Sequence, residues 1–235
     1  MNVAMGSILV AAGQSRRMGF DKIFKAFSNG LCPLEICLCR ISRSPLVEQI
    51  VVVVSKENVE KAKGKISTLS LDKEITVVVG GKERQDSVYQ GLLALDRKCR
   101  YVMIHDSARP FINEELIEKV YQAAVEVGAA VCGKPCSDTL KEVDPDARVL
   151  RTLDRSKIWT VQTPQIFRRT LLEKAYLELH AQRKLVTDDA SAIELLGEAV
   201  KVVPYTGTNL KMTLPEDWEV ANLLIENNRL PHQKP

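Results

Sequence analysis

Three short segments combine residue types suited to holding phosphates, a base edge and a divalent cation. The first, Ala11-Ala12-Gly13-Gln14-Ser15-Arg16-Arg17-Met18-Gly19-Phe20-Asp21-Lys22, follows an apolar run. Small residues let backbone N–H groups come close to an anion, and consecutive amides form a nest for phosphate. Arg17 adds a planar fork and Lys22 a compact point charge. A glycine-containing surface loop with solvated cations is the plainer reading of the same residues. The segment has neither the G-x-x-x-x-G-K-[ST] nor the G-x-G-x-x-G pattern, so the common ATPase and dehydrogenase loops are not indicated.

The second segment, Gly80-Gly81-Lys82-Glu83-Arg84-Gln85-Asp86-Ser87, reads as a strand–turn–helix junction. Backbone groups near Gly81 and the Ser87 hydroxyl could also read the edge of a base. In the third, His105-Asp106-Ser107-Ala108-Arg109-Pro110, an aspartate closes a strand, where it can hold a divalent cation or a hydroxyl. Adjacent strand residues face opposite ways, so these neighbours are not a catalytic triad. A local turn in which Asp106 bonds nearby amides is the alternative.

Later segments carry capping signals. Gln162-Thr163-Pro164-Gln165 predicts the start of a helix, with Thr163 as N-cap and proline at the first helical position. Thr187-Asp188-Asp189-Ala190-Ser191 suits a cap followed by an acidic first turn. Helix N-termini also bind anions, so capping and substrate binding are compatible. Lys211, in Asn209-Leu210-Lys211, precedes a final helix that Thr213-x-x-Glu216 marks by its capping-box spacing.

These segments need elements to hold them. The apolar runs Ile8–Ala12, Ile50–Val54, Ile75–Val79 and Tyr101–Ile104 read as buried parallel strands. Helical patterns over Leu34–Ile41, Lys56–Lys63, Gln85–Leu95 and from the cap Asn113 alternate with them. Repeated βα units predict an α/β fold with a mostly parallel sheet and ligands at the strands' carboxyl ends. The pattern breaks at residues 136–159, where Asp138–Val143 and Arg148–Leu153 flank the turn Asp144-Pro145-Asp146 and predict an inserted β-hairpin. A lone hairpin is marginally stable, so it should pack on something, and a second copy of the chain is the natural candidate. Helices near Arg168–His180 and Asp188–Leu196, a strand at Val200–Pro204 and a frayed tail from Asn227 complete the expectation.

Composition narrows the function. With 235 residues, 45% of them apolar and 27% charged, the chain is expected to form one domain, 1–235, rather than a disordered segment. The net charge of +3 offers no general attraction to nucleic acid, and no apolar run is long enough to span a membrane. The six cysteines lie mostly in apolar stretches, as buried thiols do. The chain opens without a basic segment and signal-length apolar stretch, so a reducing cytoplasm is expected.

Taken in order, these segments resemble the 2-C-methyl-D-erythritol 4-phosphate cytidylyltransferase family of the non-mevalonate isoprenoid pathway. The likeness runs from Ala11-Ala12-Gly13 through Arg17-Met18 to Lys22, then Gly80-Gly81 to Ser87-Val88 and His105 to Phe111. It continues over Asp138-Thr139-Leu140-Lys141, Asp154-Arg155, Trp159, Gln162 to Phe167, Thr187 to Ser191 and Asn209-Leu210-Lys211.

The resemblance implies a three-layer Rossmann-like nucleotidyltransferase fold and a homodimer in which the hairpin arm reaches across. It implies that Ala11, Ala12 and Gly13 line a CTP site, with Arg17 and Lys22 on the triphosphate and Gly81 and Ser87 on cytosine. Asp106 would place ribose, Mg2+ and substrate. Arg109, Thr163, Thr187 and Lys211 would surround methylerythritol phosphate, and Thr139 and Arg155 would serve the partner's site. Lys22, rather than Lys25, continues as the family's segment does. Thr208 stands where some members carry an acidic residue. Ribitol-phosphate cytidylyltransferases share the first loop and the Gln-Thr-Pro-Gln segment, and molybdopterin guanylyltransferases share the first loop. A non-catalytic nucleotide-binding module is the reading from another class.

Overall fold

The computed structural model describes residues 4–13 and 17–227. Gln14, Ser15 and Arg16 of the first loop, and the expected tail beyond Asn227, lie outside the described residues. The described residues form a seven-stranded sheet in the order β3-β2-β1-β4-β8-β5-β9. Its strands are β1 (Met5–Val10), β2 (Val47–Val54), β3 (Glu74–Val79), β4 (Tyr101–Asp106), β5 (Ala129–Pro135), β8 (Trp159–Arg168) and β9 (Lys201–Pro204). A separate antiparallel ribbon joins β6 (Lys141–Val143) to β7 (Val149–Thr152) between Pro135 and Trp159.

Period-two burial explains the three layers. In β2, Ile50, Val52 and Val54 enter one core, while Val51 and Val53 enter the other. Helices α1 (Pro33–Ser42), α2 (Val59–Ser67) and α4 (Glu114–Val127) cover the first face. The second face is covered by α3 (Arg84–Ala94), α5 (Arg169–Gln182) and α6 (Asp189–Glu194). Asn113 caps α4 as predicted, its side chain accepting from the Leu116 N–H at 2.9 Å. Gly128 ends that helix at φ +100°, a backbone angle that favours glycine.

Chain direction sets where a ligand can enter. Strands β1 to β4 are mutually parallel in the order 3-2-1-4, so the connections after β1 and after β4 diverge at that adjacent pair. A crevice at the carboxyl end of such a switch point is the usual ligand site of an open α/β sheet.

Two sequence expectations need correction. Gln162-Thr163-Pro164-Gln165 does not start a helix; it lies inside β8, which pairs antiparallel with both β4 and β5. Gln162 opposes Cys132 and Gln165 opposes Val131, so Thr163 and Pro164 bulge out of the ladder. Proline has no N–H to give a central strand, and the bulge accommodates that loss. The final helix α7 (Pro215–Glu226) begins after Leu214 rather than on a Thr213–Glu216 box. The Asp217 carboxylate instead accepts from the Thr213 and Leu214 N–H groups at 2.7 and 2.8 Å.

The six cysteines form no disulfides, and four of them are buried. Burial pushes the Cys32 and Cys132 thiols up to about 12, which keeps them protonated and inert. Among the described residues, no helix is long and apolar enough to cross a membrane.

Candidate active site

Backbone bonds draw the three loops together above the sheet. Ala11 N–H donates to Val53 O at 2.7 Å, Gly80 N–H to Val54 O at 2.8 Å, and Ser107 N–H to Val10 O at 3.0 Å. A Cβ on Gly80 would lie 2.6 Å from Ser87 Oγ and 2.9 Å from Ala12 Cβ, so only glycine allows this approach. Gly81 N–H donates to Ser87 Oγ at 3.2 Å, placing the two expected base-reading residues side by side. Ala11 is buried, Ala12 half-buried and Gly13 exposed, a gradient from the sheet to the mouth of the crevice.

Asp106 is the electrostatic centre. Its Oδ2 accepts from Lys211 Nζ at 2.7 Å, and Arg84 Nη2 lies 3.3 Å from Oδ1. Burial alone would raise its pKa, but Arg84, Lys211 and Arg109 hold the carboxyl well below the ordinary range. Lys22 lies within electrostatic reach of Lys211, Arg17 and Asp106. Its pKa is lowered, first by burial and then by repulsion from Lys211 and Arg17. Arg17, Lys22, Lys211 and Asp106 therefore share one field. Lys25 does not join them, because its ammonium sits 3.9 Å from the centre of the Phe20 ring.

A third apolar cluster positions these cations. Trp218 of α7 stacks on Phe27 at 4.2 Å and meets Phe20 edge-on at 5.3 Å, gripping the segment that carries Lys22. Met212 N–H donates to Ala108 O at 2.9 Å, which lays Lys211 across the end of β4.

Behind Asp106 runs a hydrogen-bond relay that determines a tautomer. His105 is fully buried, with Nε2 3.0 Å from Arg109 O and Nδ1 3.1 Å from Thr163 Oγ1. A carbonyl only accepts, so the proton sits on Nε2 and the Thr163 hydroxyl donates to Nδ1. That leaves Thr163 Oγ1 to accept the Asp106 N–H at 3.1 Å. The bulge in β8 thus turns buried Thr163 toward His105 and the Asp106 amide, with its only hydrogen committed to His105.

Burial lowers the His105 pKa from 6.5 to about 4. Between those values the unfolded chain holds a proton that the folded chain does not, so stability rises with pH across the window. Acidification from pH 6.5 toward 4 should remove up to about 3 kcal/mol. Ring resonances, assigned with a His105→Gln variant, should stay unprotonated above about pH 5. A midpoint near the ordinary value would contradict the relay.

The acceptor-side residues fall into two groups. Buried Arg109 donates from Nη1 to Asn209 O at 2.8 Å, while its Nε and Asn209 Oδ1 are buried without a partner. Thr187 is exposed before α6, whose cap is Asp188: its Oδ1 accepts from Ser191 N–H at 3.0 Å and its Oδ2 from Gln165 Nε2 at 2.8 Å. Thr139 and Arg155 lie on the exposed arm, where Arg155 Nη1 donates to Ser137 O at 2.7 Å. Arg84, Asp189 and Tyr176 were not singled out by sequence reasoning. Their only signal was the position of Arg84 in the glycine-turn segment and of Asp189 in the capping segment.

Among the described residues, no group of three or more His, Cys, Asp or Glu side chains is placed to hold a metal. Asp106 is one carboxylate at the edge of the crevice, and a magnesium ion commonly takes one or two carboxylates together with substrate phosphates. The donor set fits a metal that arrives with a nucleotide. Thr208 is exposed and contributes no carboxylate.

A Rossmann-like sheet whose switch point carries a small-residue loop, several cations and one aspartate defines a nucleotide-dependent transferase. The chain belongs to the IspD family, 2-C-methyl-D-erythritol 4-phosphate cytidylyltransferase, whose family model matches residues 5–227. It is 41% identical over 230 residues to the protein of that name from Dehalococcoides mccartyi strain 195, covering 97% of this chain and 99% of the relative. A Bacillus velezensis relative of the same name is 38% identical over 224 residues, covering 93% and 94%. The crystal structure of 4-diphosphocytidyl-2C-methyl-D-erythritol synthase from Anaerococcus prevotii is similar with a TM-score of 0.84 and 32% identity, covering 94% and 98%.

Proposed function

We propose that this chain joins 2-C-methyl-D-erythritol 4-phosphate to CTP, releasing pyrophosphate and forming 4-diphosphocytidyl-2-C-methyl-D-erythritol for isoprenoid synthesis. The observation that carries this reading is the Lys211–Asp106 ion pair at the sheet's switch point, with Lys22 in the field of Lys211, Arg17 and Asp106 beside it. Membership of the family supports the choice of substrates.

The acceptor's phosphate oxygen attacks the α-phosphorus of CTP in line. That oxygen is already ionised near neutral pH, so the site needs alignment and charge neutralisation more than a general base. Ala11, Ala12 and Gly13 receive the nucleotide, and Gly81 with Ser87 contacts cytosine. Arg17 and Lys22 neutralise the triphosphate. Arg109, Thr187 and Lys211 gather the acceptor phosphate, and the half-exposed Lys211 ammonium is open to it. Thr163 acts from behind, through the Asp106 amide. Mg2+, when bound, supplies Lewis-acid stabilisation of phosphoryl charge, and Asp106 is the residue that would hold it.

The arm supports a homodimer. Strands β6 and β7 are exposed along their whole length, including Val149 and Leu150, and an isolated two-stranded ribbon is marginal in water. Packing on a second copy would bury them and bring Thr139 and Arg155 to the partner's site.

Pyrophosphate release measured over CTP and GTP, each with methylerythritol phosphate or ribitol phosphate, tests the assignment. Turnover should require CTP, methylerythritol phosphate and a divalent cation together. Preference for GTP or ribitol phosphate would overturn it, and no turnover with any pair would favour a binding module.

A further inference from the structure

We infer that Arg84 and Asp189 are positioning residues: one guanidinium, braced by Asp189, holds the Asp106 carboxylate in register with the acceptor-side loop. The inference deepens the transferase reading above and rests on it.

Arg84 opens α3 directly after the Gly80-Gly81 turn and faces two carboxylates at once. Its Nε and Nη2 lie 3.4 and 3.3 Å from Asp106 Oδ1, while Nη1 donates to Asp189 Oδ2 at 2.8 Å. Asp189 uses its other oxygen to accept from Tyr176 O–H at 2.6 Å, and both groups are fully buried. Burial works against the Arg84 charge, but Asp189 and Asp106 more than offset it and raise its pKa. The result is a continuous relay from α5 through α6 and α3 to the end of β4.

The two cations on Asp106 are not equivalent. The Lys211 side chain is 44% exposed, whereas Arg84 is 30% exposed and leans on Asp189, which is 1% exposed. A lysine is a mobile point charge; an arginine between two carboxylates is fixed in its plane. When a phosphate enters, Lys211 can turn to it while Arg84 keeps Asp106 in place. Asp189 also adjoins the cap of α6 and lies two positions from Thr187, so Asp106 and the acceptor loop shift as one unit.

Steady-state pyrophosphate release from CTP and methylerythritol phosphate, with thermal midpoints alongside, separates positioning from simple packing. Arg84→Lys keeps the charge but loses the two-sided fork. It should lower kcat by about 10–100-fold while the KM for CTP stays within about threefold. Asp189→Asn should move kcat in the same direction, and the double variant should be no slower than Arg84→Lys alone, because the pair acts as one unit. Values of kcat within about threefold of wild type for both variants, multiplying losses, or losses that vanish at lower assay temperature would overturn the inference. If Arg84→Lys does not fold, Tyr176→Phe removes only the brace behind Asp189. It should still lower kcat several-fold at unchanged KM for CTP, and an unchanged kcat would count against the relay. A wild-type chain inactive with both substrates would instead overturn the transferase reading itself.

Discussion

Replacing Lys22 with alanine lowers turnover by about 10²–10³-fold while the chain stays folded, by analogy with loss of one oxyanion-stabilising donor. The physical reason lies in the crowding of like charge. Lys22 is half-buried, and its pKa is depressed first by that burial and then by the field of Lys211 and Arg17. A triphosphate entering that field relieves the repulsion, so the cations are arranged in advance for a polyanion. Removing Lys22 withdraws charge where the leaving pyrophosphate accumulates it. Lys25 is the internal control, since its ammonium lies over the Phe20 and Trp218 rings. Lys25→Ala should cost about 0.5–1 kcal/mol of stability and leave kcat within a fewfold. Steady-state kinetics and thermal melts of the two variants check both statements, and near-normal turnover by Lys22→Ala would remove it from the site.

Mixing inactive Arg155→Ala chains with inactive Lys22→Ala chains restores activity if the arm completes the partner's site. Random re-pairing makes half the dimers mixed, and each mixed dimer holds one site with both residues intact. Recovery in the unfractionated mixture should therefore approach about a quarter of the wild-type rate, and in purified mixed dimers about half, far above either parent alone. Arg155 follows the exposed ribbon and, within its own chain, donates to Ser137 O, so its guanidinium keeps further donors for a phosphate. Co-expression with two affinity tags, followed by assay of the doubly tagged species, reads the result. A doubly tagged dimer as inactive as its parents would show that each chain serves its own site.

The legibility of this molecule differed by element for physical reasons. Strands β1, β2 and β4 were readable because strands buried on both faces demand continuous apolar runs, as Val51–Val54 shows, whereas β3, expected to be buried, is the apolar but half-exposed edge of the sheet. The cap at Asn113 was readable because its partner is three residues away. Strand β8 was not, because threonine followed by proline is also a sound helix start. Pairing with two distant strands decided against the helix and turned Thr163 toward His105 and Asp106. Arg84 escaped notice for a related reason: its partners lie 22 and 105 positions away, so no local pattern reports them.

The sequence by itself determined the alternation of strands and helices, the small-residue bend, the cations beside it and the interruption that becomes the arm. Those features follow from local periodicity, turn chemistry and ordered motifs, which need no knowledge of what lies opposite. Only the tertiary structure decided that Lys211 meets Asp106, that Lys25 stays with aromatic rings, and that Arg84 spans two carboxylates. Each of those outcomes depends on chain-crossing geometry and on burial, which strengthens charge interactions that water would otherwise screen.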